Sequence, residues 1–259
     1  MFHLQGPQVL QMLEKSLRKS LPESLKEMTD DFDHYTNTYQ IYSKNPPNCQ
    51  EFLGSSGVIN WKQHLQIQSS QSSLNEVIQN LAAAELVKVK QEQGILYMLP
   101  KTASKLLPSL PEANNLPLKS GRRKVINEEM FKLSSMDVTH AALVNKFWHF
   151  GGNERSQRFI ERCIRTFPTF CLLGPEGTLV SWSLMDQTGE IRMGGTLPEY
   201  RAKGLISYLM DVHSHALVKL DYPTYYHTLE TNKIIQKMSH SLNHITMPCN
   251  WNQWHCVPL

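Results

Sequence analysis

The stretch from residue 170 to residue 220 constrains the fold more than any other part of the chain. Three short strand candidates follow one another there and feed one long amphipathic helix. Phe170–Leu173 leads through Gly174-Pro175-Glu176-Gly177, a hairpin loop, into Leu179–Asp186. Gln187-Thr188-Gly189 makes a second turn, and Glu190–Thr196 is the third strand. Loops this short join antiparallel neighbours. The helix runs from about Ala202 to Leu220, with Leu205, Ile206, Leu209, Val212, Ala216, Leu217 and Leu220 on one face.

The flanks complete the pattern. Asp137 caps a helix running to Phe150, which Gly151-Gly152 stops. A second helix covers Glu154–Thr166, with Phe159, Ile160, Cys163 and Ile164 on its apolar side. After the long helix come a short strand near Thr224–Thr228, a helix from about Asn232 to Leu242, and an aromatic tail, Trp251–Leu259, that reads as a last strand. This order predicts a mixed α/β (α+β) domain in which a helix crosses over the sheet.

The first half is less regular. Residues 1–26 read as one helix with Pro22 near its end, and Asn45-Pro46-Pro47-Asn48 is a strong break. Ser73, Leu74, Val77, Ile78 and Leu81 mark a helix, with Glu76 three residues after its cap. Leu86–Val89 and Gly94–Leu99 read as two short strands. Residues 107–124 hold Pro108, Pro111, Pro117 and Gly121 and end in Arg122-Arg123-Lys124, which reads as a linker with a solvated basic end. The chain therefore divides into an N-terminal domain over residues 1–106, a linker over 107–124 and a C-terminal domain over 125–259.

Composition excludes several classes. With 259 residues, 41% of them apolar and 19% charged, the chain is long enough for a real core and too apolar for wholesale disorder. No run approaches the ~18 consecutive apolar residues of a membrane span. A net charge of +3, from 26 basic and 23 acidic side chains, creates no field that calls for nucleic acid. Five cysteines, odd in number and widely spaced, argue against a disulfide framework or a zinc site and for reduced thiols inside the cell. Lys15, Arg18 and Lys19 stand against one acid, Glu14, beside Leu10, Leu13, Leu17 and Leu21. An acid-poor amphipathic start is one mark of a mitochondrial address, and equally the first helix of a fold. The expected compartment is mitochondrial, with the cytoplasm as the alternative. The expected partners are small molecules, and the expected state is a monomer.

The candidate site lies at the junction of the third strand and the long helix, Leu197-Pro198-Glu199-Tyr200-Arg201-Ala202-Lys203-Gly204-Leu205. Free N–H donors at a helix start suit a pyrophosphate. Gly204 lets the backbone approach closely, and Arg201 and Lys203 add charge. A plain capped loop explains the same residues. Strand alternation puts Glu190, Arg192 and Gly194 on one sheet face and Ile191 and Met193 on the other. Glu190 could act as a general base toward an amine. Arg192 could hold a substrate carboxylate, or pair with Glu190 on a solvated surface.

The order of elements, with R-x-x-G before the long helix, resembles the GNAT acyltransferase fold. More specifically, the chain resembles glycine N-acyltransferase and its paralogues. The resemblance is carried by Phe131–Arg165, Cys171–Thr178 (CLLGPEGT), Met185–Gly195 (MDQTGEIRMGG), Thr196–Arg201 (TLPEYR) and Trp251–Leu259 (WNQWHCVPL). Cys49–Leu53 and Trp61–Gln68 add to it upstream. It implies a GNAT-type domain with a mixed sheet, preceded by a GNAT-like N-terminal domain, and transfer of an acyl group from acyl-coenzyme A to the amino group of glycine, or of glutamine in some paralogues. It implies no metal. On this resemblance Glu190 is the base, and Arg201, Ala202, Lys203, Gly204, Leu205 and Ile206 hold the coenzyme A pyrophosphate. The pantetheine arm runs near Leu197, and Asn232 stands where such proteins often place an asparagine.

Three departures from the family pattern stand out. Ile206 replaces a small residue of the phosphate turn. Ser239 and His240 stand where a tyrosine acid is common, so the general acid is unassigned. Relatives carry a strand-bearing stretch where Lys26 here runs straight into Glu27, so the N-terminal domain reads as internally shortened. That shortening raises a second possibility, an inactive form that binds coenzyme A or a protein partner.

Overall fold

The computed structural model describes residues 7–8, 11–12, 15, 35–55, 58–111 and 125–259. The Lys26–Glu27 junction, the basic residues Arg122–Lys124 and most of the expected first helix lie outside them. Two compact units form. One contains Thr36–Leu96 and Met247–Leu259, and the other contains Tyr97–Thr246 together with Tyr35. The units interleave along the chain, so the last strand counts with the first unit and residues 97–106 with the second.

The first unit holds β1 (Thr38–Gln40), α1 (Cys49–Gly54), β2 (Leu65–Ser69), α2 (Asn75–Ala84), most of β3 (Val87–Met98) and most of β9 (Ile245–Pro258). Its strands run in the order β1-β2-β9-β3. β1 pairs parallel with β2, and β9 antiparallel with β2, placing Ile67 opposite Trp254. Ile67, Leu74, Ile78 and Trp254 fill its core. The Trp254 indole N–H finds a partner in Asn75 Oδ1 at 2.9 Å. The two expected strands at 86–99 are one strand of 12 residues. Gly94 does not break it, because a glycine in a strand costs entropy without forbidding extended backbone.

The second unit adds α3 (Pro100–Leu106), β4 (Lys132–Ser134), α4 (Ala141–Phe147), α5 (Glu154–Thr166), β5 (Phe170–Leu173), β6 (Leu179–Met185), β7 (Ile191–Thr196), α6 (Leu205–Lys219), β8 (Tyr225–Leu229) and α7 (Lys233–Ser241). β4-β5-β6-β7 form an antiparallel sheet, in which short turns make β5-β6-β7 a meander while α4 and α5 come between β4 and β5 along the chain. β4 has too little apolar alternation to be read from sequence. α4 ends at Trp148, three residues before the glycines, because Trp148 is extended (ψ 131). α5 begins with a capping box: Asn153 Oδ1 accepts from the Ser156 N–H at 2.9 Å, and Ser156 Oγ from the Asn153 N–H at 3.2 Å.

Every residue of β6 is buried. Trp182 and Leu184 pack with Val144 of α4 and with Phe159, Ile160 and Cys163 of α5. On the α6 side, Val180 of β6 and Leu172 of β5 pack with Leu205, Tyr208 and Leu209. The buried face of α6 is more polar than its sequence stripe implies. It includes Ser207, His213 and Ser214, while Leu220 is exposed. His213 is tolerated there because its Nδ1 meets Ser183 Oγ of β6 at 2.8 Å.

β7 is not a regular strand. Leu184 pairs with Arg192 and Trp182 with Gly195, so two residues of β7, Met193 and Gly194, oppose Ser183 alone. This is a β-bulge, with Met193 in the left-handed region (φ 57). The Trp182 indole N–H donates to the Met193 carbonyl oxygen at 2.9 Å. A Cβ on Gly195 would stand 2.6 Å from the Trp182 ring, so this position admits no side chain. Gly195→Ala is expected to destabilise the fold by about 1–3 kcal/mol through overpacking, measured as a lower denaturant midpoint at unchanged slope.

A second prediction concerns acid. Burial lowers the pKa of His213 from 6.5 to about 3. The imidazole is neutral in the fold, while the unfolded chain takes up a proton below pH 6.5. Its contribution is therefore complete above pH 6.5 and is lost as pH falls toward 3. His213→Leu should flatten unfolding free energy against pH in that window by up to about 1.4 kcal/mol per pH unit. An unchanged slope would mean that His213 is protonated in the fold.

Candidate active site

The site is built around the β6–β7 turn. Asp186 Oδ1 accepts from the Thr188 N–H at 2.9 Å and from the Thr188 hydroxyl at 2.6 Å. Gly189 (φ 81) closes the turn, and its N–H donates to the Asp186 carbonyl oxygen. The Asp186 N–H donates to the Glu190 carbonyl oxygen at 3.0 Å, which fixes where Glu190 leaves the turn. Tyr225 on β8 donates its hydroxyl to the Thr188 carbonyl oxygen at 2.6 Å.

Glu190 is wholly buried (0% exposed) at the entrance to β7. Its Oε1 accepts from the His227 main-chain N–H of β8 at 3.0 Å, and the His227 Nδ1 closes on the same oxygen as a buried pair. β7 and β8 run side by side, yet they belong to different hydrogen-bonded sheets, and each is the outer strand of its own. Glu190 thus ties the two strands together at one point.

Arg192 corrects two expectations. It is buried rather than on a solvated face, and it donates to Asp186 Oδ2 at 3.3 Å and to the Tyr35 hydroxyl at 3.1 Å. Its guanidinium also lies 5.3–5.7 Å from the ring centres of Tyr35, Trp148 and Phe150. A guanidinium enclosed in this way is held by the protein's own groups. Burial alone would lower its pKa, but the charges of Tyr35, Glu190 and Asp186 raise it above the ordinary arginine value. The expected alternation of faces also fails. The bulge turns Met193 into the same cluster as Trp182 and Leu184, while Gly194 faces Ile206 of α6, whose Cδ1 lies 3.3 Å from where a Cβ would stand. That fit explains how the turn accepts a bulky Ile206.

At the far end of β7, Pro198–Tyr200 form a 3-10 turn, and Arg201, Ala202 and Lys203 are exposed. Ala202 (φ 62) and Gly204 (φ 80) are both left-handed. Left-handed residues in a turn of this kind gather N–H groups into an anion-binding concavity. α6 starts on Gly204 with no side-chain cap and no acid in its first turn. α5, by contrast, has a side-chain cap and an acid, Glu154. The helix begins at Leu205, three residues later than expected, because Ala202 and Gly204 are not helical. Arg201 Nε donates to the Thr196 carbonyl oxygen at 3.2 Å, and Lys203 Nζ sits 4.9 Å over the Tyr200 ring.

Leu197 has both main-chain groups engaged within the protein. Its N–H donates to Val180 and its carbonyl accepts from Tyr200, each at 2.9 Å. The Leu197 N–H is thus engaged within the protein, while its carbonyl oxygen keeps a second lone pair. Asn232 is the N-cap of α7, with Oδ1 accepting from the Ile235 N–H at 3.2 Å. Ser239 is buried, donates to the Ile235 carbonyl oxygen and accepts from the Tyr226 hydroxyl at 2.7 Å. His240 stands edge-on to the Tyr97 ring. Tyr35, Asp186, Tyr225 and His227 were not among the expected site residues. The Asp186-x-Thr188-Gly189 turn was a readable signal for Asp186, but Tyr35 lies 157 residues from Arg192 and carries none.

Residues 26–168 match the family described as aralkyl acyl-CoA:amino acid N-acyltransferase, and residues 170–258 match its C-terminal region. The chain is 67% identical to glycine N-phenylacetyltransferase of Bos taurus and 61% identical to glycine N-acyltransferase of Homo sapiens, with all of each chain covered. Both alignments span 295 positions against the 259 residues here, which leaves 36 positions with no counterpart in this chain. Among solved structures, a Drosophila protein superposes with a TM-score of 0.72 at 15% identity, over 87% of this chain and 72% of that one. A GCN5-related N-acetyltransferase-like protein from Streptococcus suis superposes with a TM-score of 0.52 at 11% identity, over 97% and 100%. These likenesses carry the fold, a mixed α/β acetyltransferase-type architecture. With both family regions matched and relatives this similar along the full chain, the protein belongs to the aralkyl acyl-CoA:amino acid N-acyltransferase family.

Proposed function

We propose that this chain transfers an acyl group from acyl-coenzyme A to the amino group of glycine, with Glu190 as the base. The observation that carries this reading is the pairing of two features on one strand. A buried carboxylate stands where β7 begins. An uncapped helix start with two left-handed residues and two cations stands where β7 ends. The bovine and human relatives are named for glycine as acceptor, and the former for a phenylacetyl donor.

The mechanism follows from these parts. The acceptor arrives as an ammonium, and only the neutral amine attacks a thioester. Glu190 removes the proton. Main-chain N–H groups of the irregular strand β7 stabilise the tetrahedral oxyanion. Residues 201–206 hold the pyrophosphate by N–H donors, with Arg201 and Lys203 adding charge. Asn232 shapes the start of α7 through its Oδ1 and turns its amide nitrogen to the coenzyme. The coenzyme supplies the activated acyl group, and the protein supplies position and proton transfer. A mitochondrial site of action is part of the proposal and rests on the basic, leucine-bearing start of the chain.

A second reading, an inactive form that still binds coenzyme A, is favoured by one observation: the 36 alignment positions that have no counterpart here. Thiol release from phenylacetyl- and benzoyl-coenzyme A separates the two. Release that depends on added glycine establishes the transferase, and release that follows glutamine instead changes the acceptor. Coenzyme A binding without release selects the inactive form.

Two substitutions test the residue roles. Glu190→Gln should lower kcat by roughly 10²–10⁴-fold, and most at low pH, where the acceptor is most protonated. An unchanged rate across pH removes Glu190 from the role. Arg201→Ala should raise KM for acyl-coenzyme A by about 10- to 100-fold with kcat nearly constant, the loss of one charge-assisted hydrogen bond. Loss of kcat with KM unchanged would place Arg201 elsewhere in the reaction.

A further inference from the structure

The Glu190 side chain is only 1% exposed. Burial disfavours the charged form of a carboxyl, so a base withdrawn in this way tends to take up a proton and stop being a base. The groups around it decide whether it stays ionised. Among the described residues, the charged and titratable ones beside it are Arg192, Asp186, Tyr35, Tyr225 and His227. Arg192 on β7 is a cation, but it also serves a second carboxylate, Asp186, just after β6. Tyr35 and Tyr225 are held protonated by burial; Tyr35 accepts from Arg192, and Tyr225 on β8 donates to Thr188.

His227 on β8 differs from these, because it reaches the carboxylate twice. Its main-chain N–H bonds Glu190 Oε1 at 3.0 Å, and its Nδ1 closes on the same oxygen. Two bare acceptors would repel at that contact, so a proton lies between them, and with Glu190 as a carboxylate that proton belongs to Nδ1. One residue thus places two donors on one oxygen. Hydrogen bonds to the ionised form of a carboxyl keep it ionised. They also fix where it stands, across two strands that belong to different sheets.

We propose that His227 is a positioning residue for Glu190, its Nδ1–H holding the carboxylate ionised and in place where water does not reach. This rests on Glu190 being the base. His227 keeps its Nδ1 proton throughout the reaction and exchanges none with the substrate. It acts as a fixed donor, so another neutral donor at the same place can stand in for it.

The test follows kcat against pH in the full chain, by thiol release at saturating glycine and acyl-coenzyme A. His227→Leu removes the side-chain donor and leaves the main-chain one. Without that donor the pKa of Glu190 rises, so the ionised base is lost at a higher pH. The acidic limb of the kcat profile should therefore move up by about one to two pH units, the loss of one charge-assisted hydrogen bond, with KM for acyl-coenzyme A nearly unchanged. His227→Asn, whose Nδ2 can take the place of Nδ1, should bring the limb back toward its original position. A merely structural role would lower the rate at every pH and leave the limb where it was. An unmoved limb in His227→Leu, or one that His227→Asn does not bring back, overturns the positioning role while Glu190→Gln still loses its rate. A wild-type profile in Glu190→Gln overturns the base itself, and this inference with it. A measurement on the unaltered sequence guards against a variant that does not fold. Nuclear magnetic resonance of isotope-labelled histidine should show a protonated Nδ1 at His227, assigned by its disappearance from His227→Asn. A bare Nδ1 there overturns the inference.

Discussion

The hydrogen bond from the Trp182 indole to the Met193 carbonyl is the contact on which the site depends. It stabilises a left-handed residue in the middle of β7, where a regular strand would have kept pairing with β6. Three consequences follow from the extra residue. Gly194 turns toward α6 and makes room for Ile206. Gly195 passes under the indole ring, where no Cβ fits. β7 runs beside β8 without joining its sheet, and strand edges left in this way keep main-chain donors available to a ligand.

The second constraint is electrostatic. Glu190, Asp186, Arg192 and His227 are all withdrawn from water, and isolated buried charges are costly. The arrangement balances them. Arg192 neutralises Asp186 and lies among three aromatic rings, and His227 faces Glu190. The Asp186–Thr188 turn holds this geometry through short local bonds, while Tyr35 closes it from the far end of the sequence. At the other end of β7, α6 starts uncapped and with no acid in its first turn.

Much of this was legible in the sequence because it is local. The turns at 174–177 and 187–189, the capped helix Glu154–Thr166 and the strand-to-helix junction at 197–205 depend on residues a few positions apart, and they stand where the sequence put them. Glu190, Arg201 and Gly204 were picked out for the same reason. The misreadings were non-local. Strand alternation assumed that β7 was regular, and nothing in the sequence announces that an indole two strand positions away would draw out a bulge at Met193. Arg192 looked like a surface cation because its partner Tyr35 is 157 residues distant. His227 looked like one residue of a short strand until β8 was laid beside the start of β7.

The sequence by itself determined the order of elements, the meander, the crossover helix and the chemical types at the two ends of β7. These follow from hydrophobic period, caps and turns, which are properties of neighbouring residues. The tertiary structure alone decided which charges would face one another, and where a strand would fail to pair. Burial and electrostatic balance are set by residues that meet only after the chain has folded, and no local pattern encodes which of them will meet.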